Sequence, residues 1–101
     1  LWSTDGTAAG TGLVARINPT NQGSHPESFL TLGSKALFVG LDGPSKTAVF
    51  ATDGTSAPVA LVRFAGTAAD ALPPSPGPLT KSGAKAYFVA GDGSNGRELW
   101  V

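Results

Sequence analysis

Apolar residues along this chain fall in short consecutive runs, each cut off by glycine or a polar turn. Ala36-Leu37-Phe38-Val39 and Ala86-Tyr87-Phe88-Val89 are the clearest runs, and Val59-Ala60-Leu61-Val62 is a third. Runs this short, rich in Val, Phe and Leu and bounded by turn residues, read as strands. The runs also repeat. Gly33-Ser34-Lys35-Ala36-Leu37-Phe38-Val39 returns as Gly83-Ala84-Lys85-Ala86-Tyr87-Phe88-Val89, and Asp42-Gly43 returns as Asp92-Gly93. Thr4-Asp5-Gly6-Thr7 returns as Thr52-Asp53-Gly54-Thr55, while Trp2, Phe50 and Trp100 hold one equivalent position. The period is about 50 residues, which is the signature of a repeat architecture.

Each period carries four strands in a fixed order, a to d. Strand a is Ser28–Leu32 and again Pro78–Lys81; strand b is Lys35–Leu41 and Lys85–Gly91. Strand c is Thr47–Thr52, with Leu1–Thr4 and Arg97–Val101 in the flanking copies; strand d is Val59–Phe64 and Gly12–Ile17. Asp-Gly between strand-like runs predicts a hairpin, with a type I′ turn that needs φ > 0 at both central residues. Asp5-Gly6-Thr7, Asp42-Gly43, Asp53-Gly54-Thr55 and Asp92-Gly93 are therefore read as structural turns. The expected layout is a partial sheet over 1–17, a complete one over 28–64 and a partial one over 78–101, with linkers 18–27 and 65–77. The fold class is all-β: about two four-stranded antiparallel blades of a β-propeller, completed by other chains or by flanking repeats.

Arg97-Glu98-Leu99-Trp100, taken with Leu1-Trp2-Ser3-Thr4-Asp5-Gly6-Thr7-Ala8-Ala9-Gly10-Thr11, resembles the ELWxxDGT repeat of bacterial proteins. Leu13-Val14 and Arg16-Ile17-Asn18-Pro19 are similar to that family's continuation. The middle copy departs from the pattern, with Val49-Phe50 for Leu-Trp and Pro58-Val59 for Gly-Thr. The resemblance spans essentially the whole chain. It implies tandem repeats of a propeller kind in large extracellular or cell-surface proteins, and it implies no reaction.

Composition narrows the partners. The 101 residues hold 14 Gly and 8 Pro, which leaves little room for helices of ordinary length. Seven basic and seven acidic residues cancel, and the basic ones are scattered, so no polyanion-binding face is expected and nucleic acid is excluded as a partner. No apolar run approaches a membrane span. With no cysteine, neither disulfides nor thiolate metal sites are available.

Three motifs carry candidate chemistry. The recurring Asp residues suit Ca²⁺ as oxygen donors, but each stands alone in its turn, and turn chemistry accounts for them. Asp92-Gly93-Ser94-Asn95-Gly96 is the most oxygen-rich loop, with Asp92 and Asn95 the donors if a cation is held; no metal or cofactor is expected. The aromatic position Trp2/Phe50/Trp100 would suit sugar stacking, yet its exchange for Phe fits packing between blades, together with Phe38 and Phe88. His25, the single histidine, sits in a polar loop, and Pro73-Pro74-Ser75-Pro76 reads as a stiff linker. No catalytic constellation emerges, so no enzyme is expected. The expected function is a binding or adhesion scaffold for a protein or glycan, the alternative being a self-assembling module. At two blades per chain and roughly 4–8 blades per propeller, rings of three or four chains are expected.

Overall fold

The computed structural model describes residues 1–20, 23–43, 46–65, 78–91 and 97–101. The chain is all-β, and among these residues there is no helix. Among the described residues nine strands run in chain order: β1 Trp2–Ser3, β2 Gly12–Leu13, β3 Glu27–Leu32, β4 Lys35–Gly43, β5 Lys46–Thr52, β6 Val59–Ala65, β7 Thr80–Ser82, β8 Lys85–Gly91 and β9 Arg97–Trp100. They form three antiparallel sheets, β1-β2, β3-β4-β5-β6 and β7-β8-β9, each in sequence order. No described sheet closes on itself.

Most strand ends lie one or two residues from the sequence expectation, with strand a of the last copy observed as Thr80–Ser82 in place of Pro78–Lys81, and two differences bear on the fold. The first d strand shrinks to Gly12–Leu13, although Leu1 still bonds Val14 and Ala15 through its backbone, Val14 N–H to Leu1 O at 2.9 Å. At the other extreme, β4 continues through Asp42 and Gly43, so that pair belongs to the strand's end. Leu41 opposes Thr47 and Gly43 opposes Lys46, leaving Asp42 as the extra residue of a bulge.

The a–b hairpins are tight because glycine opens them. Leu32 opposes Lys35 and Ser82 opposes Lys85, so each loop has two residues. Gly33 (φ 63°) and Gly83 (φ 61°) take the first loop position in the left-handed region, as a type II′ turn requires.

The middle sheet is apolar on both faces. Successive side chains of a strand point to opposite faces, so the unbroken run Leu37-Phe38-Val39 serves two interfaces. On one face Phe38, Ala48 and Phe50 are buried, with Leu1, Ile17 and Ala60 packed against them. Here the rings of Phe38 and Phe50 stack at 5.3 Å between centroids. On the other face Val39 and Val49 cluster with Ala90 of the third sheet, joined by Val62, Leu79, Phe88 and Trp100. The middle sheet is therefore covered on both sides, by the third sheet on one and by Leu1 and Ile17, which flank β1 and β2, on the other.

Strand β6 reaches both interfaces through a second bulge. Val49 opposes Val62 and Phe50 opposes Ala60, so Leu61 is unmatched and stands 57% exposed. In a regular strand Ala60 and Val62, two residues apart, would share one face. Phe50→Ala should destabilise the fold by about 3–5 kcal/mol, because it empties a packed inter-sheet site. Leu61→Ala should change stability by about 0.5 kcal/mol or less. Urea denaturation of the two variants measures the contrast.

Candidate functional site

The most highly built local feature is the Thr-Asp-Gly-Thr turn, which occurs twice with nearly the same bonding. In the first copy the Gly6 N–H donates to Thr4 Oγ1 at 3.0 Å, and the Thr7 N–H donates to Asp5 Oδ1 at 2.9 Å. In the second the Gly54 N–H donates to Thr52 Oγ1 at 3.0 Å, and the Thr55 N–H donates to Asp53 Oδ1 at 2.9 Å. Each second threonine also donates its hydroxyl to the same carboxylate oxygen, at 2.7 Å and 3.0 Å. The motif is thus an Asx turn that satisfies its own donors.

This geometry corrects the type I′ expectation. Gly6 (φ 94°) and Gly54 (φ 84°) are left-handed, whereas neither Asp5 nor Asp53 has positive φ. The carboxylate is occupied as an acceptor for the turn's own N–H groups, so the aspartate keeps an ordinary backbone and only the glycine must bend.

The two copies then diverge. In the first, Gly10 N–H donates to Thr7 Oγ1 at 2.9 Å, and Thr11 Oγ1 donates to Thr7 O at 2.6 Å. A Cβ at Gly10 would lie 2.0 Å from Asp5 Oδ1, so any side chain there would force the carboxylate out of its place in the turn. In the second copy the Ser56 N–H donates instead to the carboxylate, Asp53 Oδ1, at 2.8 Å.

These bonds set the electrostatics. Donation from the Ser56 N–H, then from the Thr55 N–H and hydroxyl, holds the Asp53 carboxyl down at about 2. The Thr7 hydroxyl and N–H likewise hold Asp5 below its ordinary value. Both aspartates are anions with one oxygen turned inward to the loop. Among the described residues no three His, Asp or Glu side chains gather as a cation cage. The candidate donors Asp92 and Asn95, and Gly93 beside them, lie outside the described residues, as does the Pro73–Pro76 tract.

The predicted packing positions occupy two distinct environments. Phe38 and Phe50 lie in the first interface; Phe88 and Trp100 stack at 6.3 Å and pack in the second, where Trp100 Nε1–H donates to Ala90 O at 3.1 Å. Trp2 is the exception. It is 68% exposed, and Leu13 opposite it is 51% exposed, because no described sheet covers that face.

Comparison with known proteins gave no match. Neither a family model, nor a curated protein, nor a solved structure matches the chain.

Two polar features escaped the sequence reading. Asn18 is 2% exposed: its Nδ2 donates to Gly23 O at 2.7 Å and its Oδ1 accepts from the Thr20 N–H at 2.9 Å. It pins the linker whose Ser24 carbonyl accepts the Leu41 N–H at 2.7 Å. Asp42, at its bulge, pairs through Oδ2 with Arg63 Nε and so ties the end of β4 to β6 across β5. Its Oδ1 is buried with no hydrogen-bond partner among the described residues. Asn-Pro at 18–19 and the charge pair 42/63 are visible in the sequence, but nothing there says that they meet their partners. His25 is exposed, with φ 43°.

Two predictions follow from the turn chemistry. Gly54→Val should destabilise the protein by about 1–3 kcal/mol through backbone strain alone, since a Cβ there meets nothing within 4 Å. Gly12→Ala, also in open space but outside the left-handed region, should shift the melting temperature far less. The second prediction concerns pH. Asp53 has a folded value of about 2 against an ordinary 3.8, so its contribution is present above pH 3.8 and is lost as pH falls through about 2. Asp53→Asn keeps the acceptor oxygen without the titration. Across that window its melting temperature should fall less than that of the wild type.

Proposed function

We propose that the chain is a non-enzymatic β-propeller repeat module of the ELWxxDGT kind, a scaffold at the cell surface or outside the cell. In this reading each sheet is a blade, and the loops between strands are offered to a protein or glycan. One observation carries it: Phe50 and Trp100, equivalent in the repeat, sit in equivalent surroundings. Phe50 faces the sheet before its own, and so does Trp100, while Val39 and Val49 face the sheet after. Sheets that stack in one direction, each using the same positions, are what a propeller needs.

The loop Thr4–Thr11 and the loop Asp53–Pro58 connect strands c and d in successive sheets and carry small residues at their tips. Screening immobilised glycans and proteins tests the scaffold reading. A ligand retained by the wild type should bind at least tenfold more weakly to Ala9→Arg or Ala57→Arg, with the melting temperature unchanged. If the wild type retains none, the scaffold reading fails and the second reading stands, a module whose main contact is with itself. That second reading is favoured by the exposure of Trp2 at 68% and Leu99 at 69%, on opposite ends of the stack.

A further inference from the structure

The interface over Phe38 and Phe50 opens into a charged cleft. On that face of the middle sheet Ala60 opposes Phe50 and Arg63 opposes Ala48, so Arg63 shares the face of the buried cluster. Ile17 and Ala60, which pack on the cluster, also line an open cleft of about 410 Å³, a volume in the range of small-ligand sites. Arg16 and Pro19 reach it from the segment after β2, Pro58 from the c–d loop, Asp42 from β4 and Arg63 from β6.

Two arginines against one carboxylate leave this cleft positive. Arg63 spends only its Nε on Asp42, and its side chain is 64% exposed, so the edge formed by its two η nitrogens is open to another acceptor. Asp42 is largely buried and holds that guanidinium in place. Arg16 is exposed, and its side chain makes no ion pair or hydrogen bond among the described residues. Apart from these charges the lining among the described residues is aliphatic, save Phe50. At 3% exposure, Phe50 offers no ring face for a sugar to stack on.

We propose that this cleft binds the carboxyl-terminal residue of a partner polypeptide, one that ends in an aliphatic side chain. The terminal carboxylate takes the η edge of Arg63 through two parallel N–H···O bonds, and Arg16 supplies a second positive charge. The aliphatic side chain lies against Ile17, Pro19 and Pro58, and surface withdrawn from water there adds to the binding. A chain terminus is the match because it brings one negative charge and apolar surface on neighbouring atoms. A phosphate would bring a second negative charge, which Asp42 opposes. The inference rests on the scaffold reading and names a ligand class for it, since Ala57 and Pro58, of the loop that reading presents, belong to the wall.

Fluorescence anisotropy with a Gly-Gly-Ala-Leu peptide, rhodamine-labelled at its amino terminus, tests this on the 101-residue chain. The free acid should bind, and the same peptide ending in a carboxamide should bind about tenfold more weakly or worse, because it loses the charge-assisted fork. Arg16→Gln should weaken the free acid about fivefold with the melting temperature unchanged, since that side chain has no partner to lose. Arg63→Lys keeps a cation beside Asp42 and loses the fork, so it should weaken binding about tenfold. Should Arg63→Lys melt below the wild type, Arg16→Gln and the carboxamide decide the matter. No binding of the free acid at millimolar peptide, equal binding of acid and carboxamide, or an Arg16→Gln affinity equal to that of the wild type overturns the inference. So does displacement of the peptide by glucuronate as readily as by unlabelled peptide, which assigns the cleft to acidic sugars. A ligand from the immobilised screen that is lost on Ala9→Arg, with no peptide bound, keeps the scaffold reading while this site falls.

Discussion

The middle sheet has no polar face to give to water, and the rest of the molecule answers that constraint. A sheet with apolar side chains on both sides must be sandwiched, with neighbours roughly 10 Å away on each side. Hence the N-terminal segment lies over Phe38 and Phe50 while the third sheet lies over Val39 and Val49. Small residues make the approach possible. Ala48, two residues before Phe50 on β5 and on the same face, is fully buried, and a Cβ on Gly40 opposite it would lie 3.1 Å from the Ser24 carbonyl and 3.5 Å from the Phe50 ring. The linker can cross β4 there because the position has no side chain.

Irregularities in the strands serve the same constraint. The bulge at Leu61 lets one short strand place Ala60 in one interface and Val62 in the other. The shift between Glu27 and Leu30 in β3, with Ser28 at φ 54°, accompanies the stacking of Phe29 on Phe38. The bulge at Asp42 lets that side chain bridge to Arg63. Each departs from strict alternation where a side chain is needed on a particular face.

Much of this was legible in the sequence. The strand order, the glycine turns at Gly33 and Gly83 and the repeat itself are written in short-range patterns, because runs of apolar residues and left-handed turns depend on local chemistry. The bulges were not legible. Leu61 reads as an interior strand residue in Val59-Ala60-Leu61-Val62, and only the partner strand reveals it as the extra one. For the same reason Asp42-Gly43 looked like the turn it adjoins. Trp2 shows a different limit: its equivalence to Phe50 and Trp100 is plain in the repeat, but burial depends on what stands opposite. Asn18 was missed because a buried amide and an exposed one have the same letter.

The Thr-Asp-Gly-Thr turn has a consequence for how such a chain folds. Its bonds join residues two or three apart, Thr4 to Gly6, Asp5 to Thr7, Asp53 to Ser56, whereas the sheet-to-sheet contacts join residues roughly a whole repeat apart. Contacts of short separation close first because they forfeit little chain entropy. Each turn is therefore a local seed that brings strands c and d together before any neighbouring sheet exists to cover them. The turns at Asp5 and Asp53 share no bonds, so either hairpin can close without waiting for the other.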